Sequence, residues 1–135
     1  MTKPTYRDAR IMLELMQFQA ASGLSEALNW LWSDQFVSDH AEFIKKYPLG
    51  SKGNIDATKI CGYLETIGTL WKHRLINEDL LFDWLAVEMI WDRIKGFALG
   101  VRQVANEPRL YENFEVMAKA ASSWSAKLTK SGSRK

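Results

Sequence analysis

Residues 77–107 carry the pattern that most limits how this chain can fold. Leu80, Trp84, Val87, Trp91, Ile94, Ala98, Val101 and Ala105 follow one another at alternating steps of four and three. A helix turns once every 3.6 residues, so these eight side chains share one face. The spacing predicts a long amphipathic helix that must bury that face against other helices.

The rest of the chain repeats the signal. Thr5 is placed to cap a first helix, with Asp8 completing a short capping box. Ile11, Leu15 and Phe18 line its apolar face, with Met12, Met16 and Gln19 alongside, and Gly23 ends it. Ser25 is the expected cap of a second helix bearing Leu28, Leu31 and Trp32. Phe36, Val37, His40, Phe43, Ile44 and Tyr47 continue the helical spacing until Pro48 stops it. One bent helix and two short ones are equally compatible with residues 25–47. Residues 49–54 read as a loop, with Asp56 as the next cap. Ile60, Leu64, Ile67 and Trp71 then form a buried stripe, and Lys72, His73 and Arg74 suit the last turn. Asn77 caps the long helix, flanked by Ile76 and Leu81 at staple spacing, and Ala86 marks a bend. Pro108 is the expected start of the last helix, whose face holds Leu110, Phe114, Met117, Ala121 and Trp124. Order is expected to fade beyond Trp124.

These readings define an all-α, single-domain bundle of five to six helices. Its expected centre is an antiparallel helical hairpin over residues 56–106, joined by a very short linker. Residues 1–126 form the domain, and 127–135 a basic flexible tail.

Charge narrows the function. The net +2 comes from the tail, which holds Lys127, Lys130, Arg134 and Lys135 and no acid. Without those four of the 18 Lys and Arg, 14 basic residues face 16 acidic ones, a body of net −2. Such a body lacks the basic surplus that phosphate contacts need, so no specific nucleic acid is expected as a partner. The tail alone could touch a polyanion or an anionic lipid. Cys61 is the only cysteine, so no intrachain disulfide can form. There is no signal-peptide pattern and no transmembrane segment, which predicts a soluble cytoplasmic protein.

No motif carries chemistry. The Gly50-Ser-Lys-Gly run lacks the glycine spacing, the Lys-Ser/Thr pair and the preceding strand of a phosphate-binding loop. Glu88 and Asp92 lie one turn apart, but no Glu-x-x-His motif accompanies them, so no metal and no cofactor are expected. Cys61 reads as a small core residue, since no neighbouring base activates it. Gly96 and Gly100, four apart, mark a close approach of another backbone, within the bundle or across a dimer interface. Glu65 lies beside the buried stripe. Facing Arg93 or Arg102 it would make a structural ion pair, or line a polar ligand pocket.

The runs Ile60-Cys-Gly-Tyr-Leu-Glu65-Thr-Ile-Gly, Asn77-Glu-Asp-Leu-Leu, Ile90-Trp91-Asp, then Arg102, then Pro108-Arg-Leu-Tyr-Glu-Asn-Phe114-Glu belong together. This pattern resembles the helical family catalogued as domain of unknown function 4760. The resemblance implies a helical fold and no established activity. By matching position it singles out Glu65, Trp91 and Arg102 as candidate ligand-binding residues. Many members of that family carry an N-terminal membrane span. This chain departs there, with Arg7, Asp8, Arg10 and Glu14 in its first helix.

The expected function is a non-catalytic interaction or regulatory module acting through helix–helix contacts, as a homodimer or with another protein. The alternative is a small-molecule-binding or enzymatic bundle with a polar pocket near Glu65 and Arg102.

Overall fold

The computed structural model describes residues 3–131. Within them the chain forms seven helices and no strand: α1 (Tyr6–Ala21), α2 (Leu24–Leu31), α3 (His40–Lys46), α4 (Lys52–Lys72), α5 (Glu78–Trp84), α6 (Val87–Ala105) and α7 (Glu112–Ser131). The all-α class holds, with more helices than the five or six expected. The additional count has local causes. Ser33 turns its hydroxyl onto the Trp30 carbonyl at 2.7 Å and accepts from the Gln35 N–H, which ends α2. Asp39 then caps α3 by accepting from the Glu42 N–H at 3.0 Å, so residues 25–47 hold two helices. The long helix also breaks, because Leu85 is extended (φ −121°, ψ 124°). Its apolar face is split between α5 and α6.

Several boundaries follow the predicted caps. Thr5 and Asp8 form the capping box of α1, and Asn77 accepts from the Leu80 N–H at 3.0 Å to cap α5. Ile76 and Leu81 beside that cap are both buried. Others move. Gly23 adopts φ +79°, which L side chains resist, and turns the chain so sharply that α2 starts at Leu24 without using Ser25. Ser51, not Asp56, caps α4. Asp56 lies one turn inside, buried and paired with Lys52 at 2.9 Å. Pro108 belongs to a turn, and α7 begins only at Glu112, after Tyr111 at φ +61°. That helix continues past Trp124 and residue 127 to Ser131. The tail residues Arg134 and Lys135 lie outside the described residues.

The centre is a group of three helices. α4 packs most extensively on α7, α6 also packs on α7, and the α4–α6 contact is smaller. The expected hairpin is therefore not the organising unit, since α7 joins its two long arms. Ile60, Leu64, Ile67, Val87, Ile94, Phe97, Phe114 and Met117 are buried between them. α2 covers α4, and α3 covers α6. An aromatic cluster of Trp30, Phe36, Phe43, Tyr47 and Phe97 closes that end, with Phe43 and Phe97 at 4.8 Å between ring centroids. α1 lies at the edge, against α2 and α5.

Gly96 and Gly100 lie under the segment that leads into α3. A methyl group at Gly96 would collide with the Ser38 carbonyl, and one at Gly100 with the His40 ring. The chain itself occupies that face. The glycines therefore serve packing within the bundle, and the dimer interface proposed for them has no room there.

Candidate functional site

Glu65, Trp91 and Arg102 all reach the segment where the chain enters α7. Glu65 is on α4, one turn before Gly68. A methyl group at Gly68 would stand 2.8 Å from the Asn113 backbone, so the two helices approach closely. That approach brings the Glu65 carboxylate to the first turn of α7, where helical N–H groups lack partners. Glu65 Oε1 accepts from the Phe114 N–H at 2.9 Å. Asn113 Nδ2 donates to Thr69 Oγ1 at 3.2 Å and ties the same turn to α4. The Trp91 ring meets the Phe114 ring edge-on at 4.9 Å.

Arg102 approaches from α6. Its Nε donates to the Leu110 carbonyl at 2.8 Å and its Nη1 to Glu115 Oε1 at 2.9 Å. Its Nη2 is buried without a hydrogen-bond partner. The expected pairing with Glu65 does not form, because Glu65 is held by a backbone amide and Glu115 takes the guanidinium. Arg93 does not pair with Glu65 either. It donates to the Leu31 and Ser33 carbonyls. The family-matched residues thus gather around residues 110–115, each engaged with the entry to α7. Nearby, burial pushes the Cys61 thiol up, with the Glu65 charge adding to it. A protonated, buried thiol is a poor nucleophile. Burial also raises the Tyr111 hydroxyl to about 12, assisted by Cys61 and Glu65.

The other candidate acids are separately engaged. Glu88 accepts from the Ser125 hydroxyl at 3.0 Å, while Asp92 pairs with Lys95 at 3.6 Å. Among the described residues no group of three or more His, Cys, Asp or Glu is arranged to hold a metal ion.

Two hollows lie elsewhere, and neither is lined by Glu65 or Arg102. One, about 780 Å³, is a trough of mixed polarity between the start of α1, the end of α4 and the first turns of α5 and α7, bordered by Asp8, Trp71, Arg74, Ile76, Glu78 and Glu112. The other, about 530 Å³, is an apolar groove between α1 and α4, lined by Leu15, Phe18, Leu24, Gly62, Tyr63 and Thr66.

Both hollows border α1, which is the least enclosed element. None of its residues is buried. Its inner side is held by the half-buried Ile11 and Leu15, by the stack of Phe18 on Tyr63 and by polar contacts. Tyr63 donates its hydroxyl to the Leu15 carbonyl at 2.8 Å, and the Asn77 N–H donates to Asp8 Oδ1 at 2.9 Å. Its outer side carries a second apolar stripe. Tyr6, Ala9, Leu13, Met16 and Ala20 are spaced by three, four, three and four. Tyr6 is 96% exposed, Leu13 54% and Met16 45%. Ile11, Leu15 and Phe18 mark the inner face, and Met16, expected alongside them, belongs to the outer stripe. The alternating three-and-four spacing of the outer stripe was the available signal.

Among the described residues no helix is long and apolar enough to cross a membrane. No curated protein and no solved structure matches the chain. The sequence model described as "Domain of unknown function (DUF4760)" matches residues 4–124, which takes in every helix up to the middle of α7. The chain belongs to that family.

Proposed function

We propose that this protein is a non-catalytic interaction module that works through helix–helix contacts, with the outer face of α1 as its working surface. One observation carries the reading. A 16-residue helix with no buried residue presents a continuous apolar stripe to solvent. Stripes of this kind on a folded domain mark protein contacts. The polar groups around α7, in contrast, are engaged with one another apart from Arg102 Nη2, which suits a structural role for Glu65, Trp91 and Arg102.

The test compares affinity capture by the full chain and by a Leu13→Glu/Met16→Glu variant. Both positions are exposed, so the variant is expected to melt with the wild type. Associations of the wild type, with itself or with another protein, should be lost from the variant. Identical associations for both would overturn the reading.

A further inference from the structure

We infer that the outer face of α1 pairs antiparallel with the same face of a second copy, across a two-fold axis near residue 11. This deepens the reading above and rests on it. Alternating steps of three and four give a narrow apolar seam, the pattern by which one helix meets one other helix. A helix facing a whole core has a wider stripe. The seam on α1 is thus shaped for a single helix.

Self-complementarity identifies that helix. In a two-fold contact, a residue that faces a second one is faced by it in return. With the axis near residue 11, Leu13 lies over Ala9 of the second copy, and Met16 over Tyr6. Large then meets small, and a thioether meets an aromatic ring, a favourable contact. Because the axis doubles each pairing, two such sets form.

The charges select the direction. Arg7, Arg10 and Glu14 occupy one flank of the seam. Among the described residues neither Arg10 nor Glu14 has an ion pair, although they are one turn apart. Antiparallel pairing sets this flank against itself, so Glu14 falls between Arg7 and Arg10 of the second copy, twice, while Arg10 meets its own counterpart once across the axis; the attractive pairs outnumber that repulsion. A parallel pair would set it against the other flank, where Met12 and Gln19 border the seam and carry no charge. Complementary charge at an interface rim fixes register and direction.

The experiment measures molecular mass by sedimentation equilibrium of the full chain over roughly 10–500 µM, a range suited to a short seam. The wild type should be a dimer at the upper end and Leu13→Glu a monomer. Glu14→Arg makes the flank wholly basic, and Arg7→Glu/Arg10→Glu makes it wholly acidic. Each should self-associate about tenfold more weakly than the wild type. Mixed in equal amounts, the two should form a heterodimer. Circular dichroism melting of each variant confirms that the fold is kept. A dimer indifferent to these charges, or a mixture no tighter than its components, would overturn the antiparallel register. A wild type that stays monomeric throughout would overturn self-pairing. The capture experiment above then decides separately whether α1 serves another partner.

Discussion

Gly62 and Gly68 lie on the same helix and meet opposite surroundings. A methyl group at Gly68 would press on the Asn113 backbone, whereas one at Gly62 would have nothing within 4 Å. The first glycine faces α7, and the second borders the groove beneath α1. One side of α4 is sealed by apolar packing and an interhelical cap. The other side holds α1 by the half-buried Ile11 and Leu15, the Phe18–Tyr63 ring stack and a few polar contacts, and leaves an open groove. In the sealed junction a glycine permits contact. At the open edge a glycine is only a weak point in a helix, and the neighbouring helix remains available to a partner.

This difference can be broken by substitution. The largest effect is expected for Gly68→Val, which forces α4 and α7 apart. Overpacking against backbone should cost about 3 kcal/mol, seen as a clear fall in Tm. A tolerated valine would mean that the junction is looser than its geometry. Next comes Glu65→Ala, which strips the cap from the Phe114 N–H. The expected loss is about 1–2 kcal/mol by denaturant titration, with Glu65→Gln recovering part of it through its remaining acceptor oxygen. Equal losses for Ala and Gln would argue against capping. Gly62→Ala should have the opposite sign to Gly68→Val. An exposed helical site with free space gains about 0.5–1 kcal/mol from alanine. Destabilisation there would show that α1 is packed closer than it stands.

The smallest effect concerns acid. Burial works to raise the Asp8 carboxyl pKa, but donors from the Thr5 N–H, the Thr5 hydroxyl and the Asn77 N–H, with Arg7 nearby, hold it below the ordinary 3.8. A lowered value means that the charged form favours the folded state. Its contribution is complete above the ordinary value and fades as pH falls through the lowered one. The Thr5 and Asn77 amide resonances should therefore shift together below pH 3.8 and not above it. In Asp8→Asn that shift should be absent.

The fold was legible in the sequence where signals were local. Thr5 with Asp8, and Asn77 between Ile76 and Leu81, act within a few residues and stand where their spacing put them. The start of α7 was not legible, because it depends on Glu65, distant in sequence, supplying a carboxylate after Tyr111 turns at positive φ. Pro108, the local signal, was overridden. The partner of Arg102 was missed for a related reason. Glu115 lies on α7, and its approach depends on how α7 docks on α4 and α6. Gly96 and Gly100 announced a close approach, but their spacing could not say that the Ser38–His40 segment of the same chain would fill it. The outer stripe of α1 was written plainly at Tyr6, Ala9, Leu13 and Met16. It was masked by the inner stripe through Ile11 and Leu15, since two apolar faces on one helix blur each other's period.

Amide hydrogen exchange at low and high protein concentration tests most directly whether α1 is an open docking helix beside a sealed core. Exchange reports the opening of each element separately. The α1 amides should exchange well ahead of those in α4 and α7 when the protein is dilute. They should slow as concentration rises, while α4 and α7 stay unchanged. Exchange in α1 as slow as in α4 when dilute, or unaffected by concentration, would contradict the account.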